Sequence, residues 1–262
     1  MDVMFTSPAD GYDRFMGRYT RTLAPALVDA ARVDQAERVL DVGCGPGGLT
    51  GVLARLLGEQ NVAAIDPAAQ FVTACHERYP DADVRQGTAE ALPWPDDDFD
   101  AAFSCLVVGF MTDADQGLRE MSRVTRPGGV VAACMWDLDE GGMTMLETFW
   151  AGARELDPAV VGERMRVGVG RGDIATRLRR IGLHDVVDGA LIAHADYTDF
   201  DDFWQPFTFG VGPAGAHLAA LPTDQQERVR DLCRPQLPDG PFTLSARAWF
   251  ACGTVPPPDA DR

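Results

Sequence analysis

Between Arg38 and Met135, short apolar and β-branched runs alternate with longer stretches of mixed polarity. Five of the runs have strand length: Arg38–Val42, Val62–Asp66, Asp83–Gln86, Phe99–Ser104 and Gly129–Met135. Between them, Leu49–Leu57, Ala68–Tyr79 and Ala114–Thr125 predict helices long enough to serve as crossovers, the pattern of a parallel sheet built from βαβ units. Within Ala114–Thr125, Leu118, Met121, Ser122 and Thr125 fall on one face and Arg119, Glu120 and Arg123 on the other, as in a helix that covers a sheet. Arg126-Pro127-Gly128-Gly129 then stops that helix and releases the chain into the next strand.

Further along, Gly172–Ile181 predicts a helix with Leu178 and Ile181 facing inward, followed by strands at Asp185–Ala193 and Ser245–Cys252. The intervening segments, 137–171 and 195–244, are rich in aromatic residues, Gly and Pro. They are longer than sheet connections need to be and are read as insertions that form a substrate lid. Residues 1–36 form an N-terminal cap, 37–136 the core, and 255–262, opening on Val-Pro-Pro-Pro, a disordered tail of the single domain 1–262.

The 262 residues carry 23 basic and 40 acidic side chains, a formal charge of −17, which repels phosphate backbones and anionic lipid. Nucleic acid and membrane are therefore not expected as partners; a small molecule is. Every basic residue is Arg. Without a lysine amine, Schiff-base chemistry and the Walker-type phosphate loop are excluded. Six cysteines lie scattered without zinc spacing, no metal site is expected, and the N-terminus lacks a signal-peptide layout, so a cytoplasmic location is expected.

The most informative stretch is Val39-Leu40-Asp41-Val42-Gly43-Cys44-Gly45-Pro46-Gly47-Gly48, a buried strand that runs into a glycine-rich turn and opens a helix. Its glycines let the backbone approach a ligand, and Gly43, Gly45 and Gly48 satisfy the dinucleotide pattern GxGxxG. Asp41, at the carboxyl end of the strand, opposes a pyrophosphate, since a like-charge pair near 4 Å costs about 4 kcal/mol as a ceiling. It favours an ammonium or sulfonium, both of which S-adenosylmethionine carries. Asp66 ends the second strand, where a carboxylate can accept bonds from the two ribose hydroxyls of an adenosine. Beyond the third strand, Thr88 and Ala89 would reach the adenine edge, with Leu92 and Trp94 anchoring the loop.

In order and spacing, VLDVGCGPGG (39–48), Asp66, GTAEALPWPDDDFD (87–100) and Arg126–Gly129 resemble the class I S-adenosylmethionine-dependent methyltransferases, in particular the quinone-biosynthesis and small-molecule group. The resemblance implies an α/β fold: a Rossmann-like, mostly parallel seven-stranded sheet with helices on both faces, the last strand antiparallel, and helical cap insertions. It also implies S-adenosylmethionine as cofactor. Gly43, Cys44 and Gly45 would lie under its methionyl part, Asp66 would hold the ribose, Thr88, Ala89 and Glu90 would flank the adenine, and Leu106 would pack near the sulfonium. Thr88 stands where the family often has an aspartate. The segment Tyr12–Tyr19 resembles a part that folds over the cofactor, and Arg14 or Arg18 could pair with the methionyl carboxylate.

Methyl transfer from a sulfonium is an in-line displacement that depends mainly on proximity and orientation, so a general base is optional. Ligands of open α/β sheets sit beyond the carboxyl ends of the strands. Val107, Phe110, Met111 and Trp136 are accordingly candidate substrate contacts, and Asp137 and His217 candidate bases. The aromatic set Phe200, Phe203, Trp204, Phe207 and Phe209 reads as the core face of a helix, or as a substrate cage that includes Trp204. Two alternatives remain open: a nicotinamide-dependent oxidoreductase using GxGxxG with Asp66, and a non-catalytic protein that binds S-adenosylmethionine as a regulator.

Overall fold

A computed structural model describes residues 9–33, 36–163, 165 and 167–257. Its centre is a seven-stranded sheet of order β3-β2-β1-β4-β5-β7-β6. The strands are β1 (Val39–Val42), β2 (Val62–Asp66), β3 (Asp83–Gln86), β4 (Phe99–Cys105), β5 (Thr125–Trp136), β6 (His184–Tyr197) and β7 (Phe242–Thr254). The first five pair in parallel, and β7 lies antiparallel to both β5 and β6. This is the architecture expected from the sequence.

β1 and β2 are buried at every position, which is why their runs are apolar rather than alternating except for Asp41 and Asp66 near their carboxyl ends. Along β5, Ala132, Cys134 and Trp136 face one layer of the core, and Val131, Ala133 and Met135 face the other. The second layer is covered by α5 (Ala114–Val124) and α7 (Asp173–Arg180) through Leu118, Met121, Val124, Ile174 and Leu178. The first is covered by α2 (Arg18–Ala31), α3 (Thr50–Leu57) and α6 (Thr144–Leu156) through Leu23, Leu27, Leu53, Phe149 and Trp150. On the second layer side, α5 is capped by Asp113, whose side chain accepts the Gln116 N–H.

Three local expectations are revised. The Arg-Pro-Gly-Gly segment does not precede β5 but lies within it as a bulge: Phe99 pairs with Thr125 and Ala101 with Val130, so the four residues between loop out. The β6–β7 hairpin is longer than expected, because its outer strand is an exposed edge whose polar positions weaken the apolar signal. The predicted tail begins ordered, since Val255 is buried and exchanges backbone hydrogen bonds with Gly128 and Gly129. Residues 258–262 of that tail, like 1–8, 34 and 35 of the cap, lie outside the described residues.

The segment 195–244 supplies α8 (Phe200–Trp204), α9 (Gly212–Ala220) and α10 (Thr223–Cys233). With α6 from the other insertion, these helices pack an aromatic cluster: Phe149 stacks on Phe207 at 4.6 Å and neighbours Trp204 at 6.1 Å. The N-terminal part runs from α1 (Ala9–Tyr12) through a π-helical turn into α2 and leans on this cluster through Phe15 and Phe207.

Candidate active site

At the carboxyl ends of β1, β2, β4 and β5 lies a cleft of about 140 Å³, open at its mouth. Its floor is Gly43, Gly45, Asp66 and Leu106; its walls include Phe71, Val107, Phe110, Trp136 and Leu146; and Tyr12, Phe15 and Val211 roof it. Four of the five parallel strands end here, so chain turns rather than strand bodies line the cleft.

The glycine bend is shaped by contact. Gly43 has φ +77°, and a Cβ there would collide with both methyls of Val107. Gly45 has φ +55°, and a Cβ there would meet only Tyr12, at 3.9 Å. Its outer side therefore faces space that a ligand can fill. The bend is anchored from the next strand, because Gly43 and Cys44 donate their N–H groups to the Ile65 carbonyl at 2.8 and 3.0 Å.

Asp66 completes the anchor. One carboxylate oxygen accepts the Gly45 N–H at 2.9 Å and the other the Ala68 N–H at 2.8 Å. Burial pushes its pKa up, and the two backbone bonds oppose that shift. Asp41 lies behind the bend, buried, lining a small side recess with Gly43, Cys44 and Thr20. The Thr50 hydroxyl donates to it at 2.7 Å, yet burial still raises its carboxyl to about 7. Leu106 leaves β4 at φ +66°, a conformation that costs a non-glycine residue about 1 kcal/mol or more. That turn, held by the Leu106 N–H on the Cys134 carbonyl at 2.9 Å, lays Leu106 and Val107 against the cleft.

No arginine lines the cleft or its recess among the described residues, whereas Asp41, Asp66 and Glu163 do; Asp13, also in the recess, is paired with Arg78 at 2.6 Å. This donor set fits a positively charged nucleoside and opposes a diphosphate. S-adenosylmethionine, with its sulfonium and ammonium, meets that requirement, and the residues that would hold it are Gly43, Gly45, Asp66, Leu106 and, behind the bend, Asp41.

A model of the family described as "Methyltransferase domain" matches residues 40–133. Malonyl-[acyl-carrier protein] O-methyltransferase of Serratia marcescens is 30% identical over 190 residues, which cover 70% of this chain and 72% of that protein. The chain is a class I S-adenosylmethionine-dependent methyltransferase. This methyltransferase is also 32% identical over 135 residues to ubiquinone/menaquinone biosynthesis C-methyltransferase UbiE of Vibrio vulnificus, spanning about half of each (49%). Phosphoethanolamine N-methyltransferase 2 of Haemonchus contortus, solved with phosphomonomethylethanolamine and S-adenosylhomocysteine, shares the fold at TM-score 0.55 and 16% identity, covering 95% of this chain and 60% of that one. S-adenosylmethionine is the cofactor of this chain.

Of the expected substrate contacts, Phe110, Val107 and Trp136 line the cleft. Met111 does not; it packs against Gly117 of α5. Trp204 is buried in the aromatic cluster, stacked on Phe200, so the core reading of that set prevails over the cage. Arg18 does not line the cleft: it pairs with Asp202 at 2.9 Å and lies over the Tyr197 ring at 4.4 Å. Arg14 points to Gln205.

Both candidate bases are corrected. Asp137 is fully buried, bonded by Arg247 at 2.7 Å and by the Glu140 N–H at 3.0 Å, and lines no part of the cleft. His217 stands behind Trp150, at 5.4 Å between rings, rather than over the site. The loop carrying Thr88, Ala89 and Glu90 starts beside Asp66, where the Gly87 N–H donates to the Asp66 carbonyl. Glu90 there accepts the Thr112 N–H at 2.7 Å and so ties this loop to the start of α5. Among the described residues no helix is long and apolar enough to cross a membrane.

Sequence reasoning missed Phe15, Leu146, Glu163, Met165 and Val211 as cleft residues. Phe15 lay within a segment already marked as covering the cofactor. The others sit in the two insertions, Leu146 on α6 and the rest in segments without a periodic or motif signal.

Proposed function

We propose that this methyltransferase acts on a small apolar molecule taken into the cleft, in the cytoplasm and without a nucleic-acid partner. The observation that carries the reading is the chamber itself. Beyond Gly43 and Asp66 the wall is Phe71, Phe110, Met135, Trp136 and Leu146, with Tyr12, Phe15 and Val211 above, an apolar lining suited to a small molecule. The charge of −17 adds repulsion toward nucleic acid.

Bound S-adenosylmethionine supplies an electrophilic methyl group on sulfur. The chain's own work is then binding, alignment and exclusion of water. Asp66 orients the ribose, with Thr88, Ala89 and Glu90 flanking the adenine. Gly43, Cys44 and Gly45 underlie the methionyl part, and Asp41 compensates its ammonium. Leu106, Val107, Phe110 and Trp136 hold the acceptor and keep water away.

The test has two parts. Calorimetry with S-adenosylhomocysteine and with NAD should show binding of the first and none of the second. Labelled S-adenosylmethionine, incubated with a panel of small aromatic and aliphatic acceptors, should give a methylated product. Cofactor binding without any methylated product would leave the regulator reading in its place.

A further inference from the structure

Glu163 stands apart from the other carboxyls of the cleft. Asp66 has both oxygens engaged by backbone N–H groups, and Asp41 lies behind the glycine bend under the Thr50 hydroxyl. Glu163 instead shares the cleft with Phe110, Trp136, Leu146 and Met165. One of its oxygens accepts the Trp150 Nε1–H at 3.2 Å. The other, Oε2, is buried and has no hydrogen-bond partner among the described residues. Leaving a buried carboxyl oxygen unpaired is unfavourable, so this oxygen is available to a hydrogen-bond donor on a bound molecule.

We propose that Glu163 binds the hydroxyl of a flat, phenol-like acceptor through Oε2 and receives its proton as the methyl group is transferred. The inference rests on the methyltransferase reading above. The apolar wall selects a ring, and one unpaired acceptor atom selects one donor. A phenol loses its proton near pH ~10, within reach of a carboxylate base, whereas an ammonium held by the same carboxylate has no lone pair with which to attack. In the step, the hydroxyl oxygen forms a bond to the donated methyl carbon. The carbon–sulfur bond breaks with its electron pair left on sulfur, and the hydroxyl proton passes to Glu163 Oε2. One positive charge on sulfur and one negative charge on Glu163 are neutralised together.

Burial raises the Glu163 carboxyl to about 7, against the pull of the Trp150 bond, so it titrates where a base is useful. Among the described residues its surroundings from α6 are Trp150 and, next to Gly162, Arg154, with His217 of α9 beside Trp150. Across the cleft stand Asp66 and Tyr12.

The experiment uses the full chain saturated with S-adenosylhomocysteine and titrated calorimetrically with 2-naphthol and with 2-methoxynaphthalene, the same ring without the donor. Wild type should bind the naphthol about tenfold more tightly than the ether. Glu163→Leu should erase that difference, while S-adenosylhomocysteine affinity stays within about twofold. Glu163→Gln, which keeps an acceptor oxygen but not the base, should lower kcat by about 100-fold with a panel acceptor and remove the limb of the pH profile near 7, with KM little changed. Equal binding of naphthol and ether by wild type, or full kcat in Glu163→Gln, overturns the proposal. Failure of wild type to bind S-adenosylhomocysteine at all would overturn the methyltransferase reading itself.

Discussion

Asp66 accepts the Gly45 N–H at 2.9 Å, so the carboxylate that ends β2 holds the bend that follows β1. With its other oxygen on the Ala68 N–H, the group is fixed in place before any ligand arrives. A carboxylate offers about four lone-pair sites, and two remain for the ribose hydroxyls. Cofactor binding and loop geometry therefore depend on one side chain.

Replacing Asp66 by Ala should weaken S-adenosylhomocysteine binding tenfold or more, since hydrogen bonds to charged groups contribute about 1.5–3 kcal/mol. Asp66→Asn, which retains one acceptor oxygen, should fall between the two. Calorimetric Kd values read the effect. An unaltered Kd in Asp66→Ala would remove this residue from the cofactor site.

Asp41 should link pH to both stability and affinity. Its folded carboxyl lies near 7, above the ordinary 3.8, because burial penalises the charge. The folded state therefore keeps a proton that the unfolded state has released, and this contribution to stability fades as pH rises from about 4 to 7. Asp41→Asn should then melt higher than wild type at about pH 8 and close to it at about pH 4. Since an ammonium is better met by the ionised carboxylate, wild-type S-adenosylhomocysteine affinity should rise through the same range and that of Asp41→Asn should stay flat. The difference between the two proteins isolates Asp41 from Asp66 and Glu163, whose carboxyls are raised in the same direction.

The parts of the site legible in the sequence were those built by consecutive residues. Gly43 through Gly48 form a turn whose spacing is its geometry, and Asp66 ends a strand whose apolar run marks its own boundary. What stayed hidden depends on partners far apart in the chain. Asp137 looked like a free carboxylate after β5 because its partner, Arg247, comes 110 residues later on β7. Glu163 sits between glycines and arginines with no period or motif, and only the packing of α6 against the cleft turns it toward the chamber. The aromatic residues near 200–209 did show helical spacing, but spacing alone does not tell whether the apolar face meets a ligand or Phe149.

The Asp137–Arg247 pair should prove structural. Asp137 is completely buried and Arg247 about one-third exposed (33%). Arg247→Met leaves the carboxylate without its counterion and should cost about 3 kcal/mol, the low end for buried pairs because one partner reaches solvent. Denaturant unfolding measures this loss. At a temperature where the variant is folded, S-adenosylhomocysteine affinity should match wild type, and a loss of affinity without a loss of stability would return Asp137 to the active site.

The glycine bend offers the sharpest separation of sterics from backbone strain. Gly43→Ala places a methyl against the Val107 side chain and forces a non-glycine residue to φ +77°. The conformational part costs about 1–2 kcal/mol, and the collision adds to it. Trimming the neighbour by Val107→Ala removes the two closest contacts, leaving the Cβ of residue 107 at 3.0 Å, and leaves the φ strain untouched. The double variant should therefore recover part of the stability lost by Gly43→Ala, a positive coupling in a double-mutant cycle between contacting residues. It should not recover full S-adenosylhomocysteine affinity, because the alanine methyl remains beside the bend and Val107 no longer fills the wall of the cleft. Additive losses in the cycle would mean that Val107 does not press on Gly43, and that the bend owes its shape to backbone bonds alone.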